Sequence, residues 1–135
     1  MPTKLKIPKT KSYPQLKKLL DKHFSLFIRQ RGSKENYNRC FTCGAWKEIK
    51  DLHCGHYVSR TYIGTRWDET NCWPQCPSCN LFHEGMKDEF ARMLIAKFGN
   101  NILDILAYKK KNSPKFTAKE LEILIQVYKE KLKTL

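Results

Sequence analysis

Acidic residues are scarce in this chain of 135. Only 13 Asp and Glu stand against 26 Lys and Arg, giving a net charge of +13 and a pI of about 9.6. Such a field disfavours cationic partners and draws in polyanions, nucleic acid first among them. Long apolar runs are missing too. Nothing approaches the roughly 18 consecutive apolar residues of a membrane span, so no membrane partner is expected. The basic stretch Met1–Lys11 carries no apolar segment, so no secretory signal is expected either. Without an export signal, disulfides are disfavoured, and six cysteines in a reducing cytoplasm point to metal binding. There are no internal repeats, and the length suits one domain.

Four of the cysteines fall in two Cys-x-x-Cys pairs, Cys40/Cys43 and Cys76/Cys79, separated by 32 residues. Four thiolates close a tetrahedral structural Zn²⁺ site. The insert exceeds the roughly 15–20 residues of a common zinc ribbon, leaving room for a β-hairpin. We expect that hairpin over 45–58 with a turn near 47–51. Leu52, Cys54, His56 and Val58 share one strand parity. Cys54 and Cys72 read as ordinary buried thiols.

Helices flank this centre. Ser12 with Gln15 and Thr117 with Glu120 are capping boxes. The first opens a helix over 13–31, with Leu16, Leu20, Phe24, Phe27 and Ile28 at helical spacing. A second helix starts at the Cys76/Cys79 pair and ends at Leu81 or continues past Gly85 to Phe98. Further helices fill 101–134. The fold class is therefore α+β. Residues 1–11 form a basic arm, and 12–135 form one domain with a core at 40–98.

Several residue types suit phosphodiester hydrolysis. A neutral imidazole, His56, can take a proton from water near pH 7. A divalent ion, Mg²⁺ or Mn²⁺, can offset charge on the phosphorane. Asn80, one step past Cys79, is placed to hold that ion through its amide oxygen. Asn71 can bond backbone across the loop and orient the histidine strand. In the loop 59–69, Arg60 and Arg66 are interleaved with aromatics, a pattern that suits phosphate and base contact. Lys17 and Lys18 add basic surface on the first helix.

Knuckle, hairpin and a helix supplying the last two ligands make a treble-clef. With a histidine on the hairpin, this layout is similar to the ββα-metal core of HNH (His-Me finger) endonucleases. Cys40-x-x-Cys43-Gly44, Gly55-His56-Tyr57, Glu69-x-Asn71, Gln75-Cys76-x-x-Cys79-Asn80 and Gly85 resemble the phage recombination protein NinG (Rap) family. The Cys-x-x-Cys-Asn ending is also similar to recombination endonuclease VII. The resemblance spans about residues 12–134. It implies a phage or prophage DNA endonuclease that cuts branched recombination intermediates, Holliday junctions and D-loops. In it His56 would be the general base, Asn80 a catalytic-metal ligand and the four cysteines the zinc ligands. Many HNH enzymes carry Asp immediately before the base; here it is Gly55. Lambda-type members carry Asp three residues before it; here it is His53. The second metal ligand is thus open among Asp51, His53, His83 and Glu84. His83 is expected one helical turn past Asn80.

Two other readings fit the same residues. One is a general or site-specific HNH nickase. The other is a non-catalytic zinc-binding nucleic-acid adaptor, which would need the cysteines and the basic surface but neither His56 nor Asn80. A homodimer would suit a two-fold junction, although no interface is legible in the sequence.

Overall fold

The computed structural model describes residues 10–135, so most of the basic arm expected at 1–11 lies outside the described residues. Helix α1 (Tyr13–Gln30) begins where the sequence places it. Ser12 Oγ accepts from the Gln15 amide at 3.3 Å, and Gln15 Oε1 accepts from the Ser12 amide at 2.8 Å. This reciprocal pair satisfies amides that the first helical turn leaves free. Its apolar stripe buries Leu16, Leu20, Phe24, Phe27 and Ile28. The stripe packs on α6 (Ala118–Lys133), which has its own Thr117–Glu120 capping box and buries Leu121, Ile125 and Tyr128. The Phe24 ring meets the Tyr128 ring edge-on, 5.0 Å between centroids and 88° apart.

Two small antiparallel sheets follow α1. Strand β1 (Tyr37–Arg39) pairs with β2 (Trp46–Glu48) around the first Cys-x-x-Cys turn. Gly44, at φ +79°, takes the left-handed conformation that closes this turn, and its amide donates to the Cys40 carbonyl at 2.9 Å. A 3₁₀ turn over Ile49–Asp51 leads to β3 (His53–His56). Strand β3 pairs with β4 (Cys72–Gln75), in a register that puts His56 opposite Cys72 and Gly55 opposite Trp73. The hairpin expected over 45–58 is therefore corrected: β2 turns back to β1, and β3 closes on β4. Alternation put Cys54 and His56 on one face, but Leu52 and Val58, expected on the same face, lie outside β3 and pack in other clusters, and alternation says nothing about which strand β3 pairs with.

Because successive side chains alternate across a strand, the β3–β4 pair serves two cores. Cys54 and Cys72 face the α1–α6 layer. Trp73, with neighbouring Tyr57, faces a second layer made by α4 (Lys87–Phe98) and α5 (Ile102–Lys111), where Phe90, Leu94, Ile102 and Leu106 are buried. The loop joining β3 to β4 contains a four-residue helix α2 (Ile63–Arg66) and the buried Trp67. Helix α3 (Pro77–Leu81) starts directly after β4, with Pro77 in its first turn, where a missing amide hydrogen costs nothing. The chain leaves the helix at Phe82, and a 3₁₀ turn (His83–Gly85) separates α3 from α4. Among the described residues no helix is long and apolar enough to cross a membrane.

Leu121 is fully buried between α6 and α1. Leu121→Ala is expected to destabilise the chain by about 2–5 kcal/mol, since transfer and cavity terms add. Urea denaturation followed by circular dichroism checks this. A loss below 1 kcal/mol would mean that α6 is not part of the cooperative core.

Candidate functional site

The four-cysteine cluster forms as the spacing implies. Cys40 and Cys43 arrive on the β1–β2 turn, Cys76 on the residue capping α3, and Cys79 inside that helix. All four sulfurs lie within 4.8 Å of one another, and Cys43 Sγ is 3.8 Å from Cys76 Sγ. Zn–S bonds of about 2.3 Å imply tetrahedral edges of about 3.8 Å, so the donor set fits Zn²⁺. Burial pushes the Cys43 and Cys79 thiols up. At Cys40 burial acts the same way, but the backbone amides of Cys43 and Cys76 together with Thr42 outweigh it and lower the thiol, so a metal would find one thiolate favoured and displace the other protons.

Asn80 follows Cys79 directly, so the cluster sets where it stands. Its Nδ2 lies 3.0 Å from His53 Nδ1. Rotation of the amide would set Asn80 Oδ1 beside the same imidazole nitrogen. Both residues line a cleft of about 280 Å³ together with His56, Arg60, Asp21 and Arg29. His83 does not line it. The helix expected to carry His83 one turn past Asn80 stops at Leu81, and His83 is exposed with φ +59°. Asp51 and Glu84 are exposed and likewise absent from the lining. Of the four residues considered for a second ligand, the cleft contains His53.

His56 is held at both ring nitrogens. Nε2 is 2.9 Å from the Arg66 carbonyl, and Nδ1 is 3.2 Å from the Cys54 carbonyl. A neutral ring can donate from one nitrogen only, and the shorter contact assigns its hydrogen to Nε2. Nδ1 then keeps a lone pair. An imidazolium could donate to both carbonyls, but desolvation outweighs them and lowers the His56 pKa. Burial thus favours the neutral ring.

Three polar residues fix this arrangement. Asn71, with no solvent exposure, stands as expected across the loop. Its Oδ1 accepts from the Val58 amide at 2.8 Å, and its Nδ2 donates to the Val58 and Thr65 carbonyls, each at 3.0 Å. It does not line the cleft, so it positions the histidine strand from behind. Asp21 on α1 accepts from Arg66 Nε at 3.0 Å, from Arg66 Nη2 and from Trp67 Nε1 at 2.9 Å. It thereby holds the residue whose carbonyl holds His56. Glu69 joins the same loop to the helical layer, accepting from Tyr128 Oη at 2.9 Å and Lys131 Nζ at 2.7 Å.

Arg66 was expected to contact DNA. Its side chain is only 12% exposed and is committed to Asp21, so that expectation is corrected. Arg60 is exposed at the cleft. Lys17, half-buried, and Lys18, exposed, sit four and three residues before Asp21 and so lie over the same helical face. Lys17, Asp21, Ser25 and Arg29 recur every four residues, making a ridge that leads into the cleft. Sequence reading missed Asp21, since nothing local marks a carboxylate whose partner is 45 residues away.

Gly55 explains the missing carboxylate before the histidine. A Cβ there would lie 2.1 Å from Gln75 Oε1. Gln75, 1% exposed, fills that space and donates to Thr42 Oγ1 at 3.1 Å and the Gly85 carbonyl at 2.9 Å. It thus ties the cysteine turn to the turn before α4.

A protein-family model described as bacteriophage lambda NinG protein matches residues 2–135. No curated protein and no solved structure matches the chain.

Gly55→Ala is expected to cost about 1–3 kcal/mol through overpacking and displacement of Gln75. A thermal or urea midpoint unchanged from the parent would show that Gln75 yields freely.

Proposed function

The chain belongs to the bacteriophage lambda NinG family, and we propose that it is a metal-dependent DNA endonuclease acting on branched recombination intermediates. In this reading β3, β4 and α3 form an HNH-type ββα core, with the four cysteines as a structural zinc site. The observation that carries the proposal is the meeting of His56, His53 and Asn80 in one cleft beside Arg29 and Arg60.

His56 is the general base. A water in the cleft can donate one hydrogen to Nδ1 and the other to the Cys54 carbonyl, which leaves a lone pair for the phosphorus. The Arg66 carbonyl, accepting from Nε2, fixes the tautomer and steadies the imidazolium that forms. Exposed Arg60 offers charge to the phosphate. Asn80 and His53 would hold a divalent ion: their side chains approach at 3.0 Å, and rotation of the amide would turn Asn80 Oδ1 toward the same ion as His53 Nδ1. When bound, that ion offsets charge on the phosphorane and the leaving oxygen. One amide oxygen and one imidazole nitrogen form a mixed donor set. It suits Mn²⁺ better than Mg²⁺, which prefers oxygen throughout.

The net charge of +13 supports a nucleic-acid substrate. The two-fold symmetry of a four-way junction supports a homodimer, for which exposed Ile123 and Val127 on α6 offer apolar surface. A zinc-binding adaptor would use the same charge and cysteines, but it gives no reason for a neutral histidine beside Asn80.

Strand cleavage of a labelled four-way junction, with linear duplex beside it, tests the reading. Wild type with Mn²⁺ is expected to cut the junction selectively and faster than with Mg²⁺. His56→Ala should lose roughly 100-fold or more while still binding the junction. Tight binding without cutting under either ion would leave the adaptor reading in place.

A further inference from the structure

Two cysteines stand outside the zinc cluster and outside the hydrolytic chemistry. Cys54 on β3 and Cys72 on β4 are two register steps apart on the face of the hairpin that carries His56. The two sulfurs and one His56 ring nitrogen all lie within 4.8 Å of one another. The Arg66 carbonyl borders this corner, 2.9 Å from His56 Nε2 and 3.7 Å from Cys72 Sγ, so an ion taken by Nε2 would replace the hydrogen that nitrogen donates to the carbonyl. The hydrogen-bonding contacts of the Cys72 sulfur are long, 3.7 to 4.0 Å. Neither thiol is therefore committed to a strong partner. Cys54 and His56 both line the cleft, so the corner opens toward solvent on one side.

We propose that Cys54, Cys72 and His56 form a second metal site, for a thiophilic divalent ion of the Zn²⁺ or Cd²⁺ class. Two thiolates and one imidazole with a fourth position open to water is a recurrent zinc donor set. A zinc ion in tetrahedral geometry separates such donors by about 3.5–3.8 Å. A spread within 4.8 Å therefore closes by side-chain rotation of about 1 Å. The two thiolates neutralise the ion, which must displace the proton that burial holds on the Cys72 thiol, and the neighbouring guanidinium groups offset part of that cost. Arg29 lines the cleft with Cys54, and Arg31 Nη2 donates to the Cys72 carbonyl at 2.9 Å. Hard ions such as Mg²⁺ do not select this corner, because its three side-chain donors are sulfur and nitrogen. The site thus differs from the Asn80–His53 position in donor chemistry, while Cys54 and His56 line the same cleft as Asn80 and His53.

One consequence rests on the reading of His56 as general base. An ion bound to the imidazole withdraws it from proton transfer, so a thiophilic metal would shut the enzyme down while the four-cysteine cluster stays loaded.

Metal content after equilibration with buffered Zn²⁺, together with Co²⁺ absorption spectra, tests the site without reference to activity. Wild type is expected to hold two equivalents, Cys54→Ala and Cys72→Ala one each. The cobalt spectrum should resolve a four-sulfur centre, kept in both variants, and a two-sulfur, one-nitrogen centre that both lose. Retention of the four-sulfur spectrum shows that the variants are folded. A single equivalent in wild type, or two in the variants, would overturn the proposal. Cleavage is measured in parallel. Excess Zn²⁺ should reduce wild-type cutting roughly 100-fold, and Cys72→Ala should resist that inhibition. If the second ion binds and cutting continues, the site stands and the general-base reading of His56 falls.

Discussion

The position of one amide, that of Asn80, depends on four sulfur atoms brought to a point. Cys40 and Cys43 come from the turn between β1 and β2, Cys76 and Cys79 from the start of α3. None of these elements is long enough to be stable alone, since the strands run three or four residues and α3 five. Joining them at a metal-sized cluster fixes α3 against β3, and Asn80 comes to rest beside His53 as a result. A metal held by this cluster would couple stability in this half of the molecule to its binding, because the ligands meet only in the folded chain.

The other half of the cleft is held by polar contacts of buried or half-buried groups. His56 depends on the Arg66 carbonyl, Arg66 on Asp21, and the loop between them on Asn71. Each tie satisfies groups that would be costly to leave unpaired away from water. Glu69 extends the same network to α6 through Tyr128 and Lys131. The helical layers therefore do more than supply a core. They locate the loop whose backbone orients the imidazole, and a defect far from the cleft can reach the ring through it.

Much of this was legible from the sequence, for identifiable reasons. Capping boxes at Ser12 and Thr117 and stripes such as Leu16–Leu20–Phe24 are local signals, and the helices start where those signals place them. The cysteine pairs announced their cluster by spacing alone, and Asn71 was expected across the loop where it is found. What failed was non-local. The hairpin partner of β3 depends on a strand 16 residues further on, and parity cannot name it. His83 was placed by assuming that α3 continues, whereas extended backbone at Phe82 ends it and left-handed backbone follows at His83, Glu84 and Met86. Arg66 looked like a surface cation because its counter-ion, Asp21, belongs to a different helix. Cys54 and Cys72 looked unremarkable singly and gain interest only when the β3–β4 register sets them beside His56.

The central claim is that a divalent ion sits at Asn80 and His53, close to a neutral His56. Anomalous diffraction from crystals grown with Mn²⁺ measures this directly. A peak within bonding distance of the Asn80 amide and the His53 imidazole, distinct from any signal at the four cysteines, is the expected result. Mn²⁺ absent from the cleft, with the four-cysteine centre the only metal found in a well-ordered molecule bound to branched DNA, would contradict it.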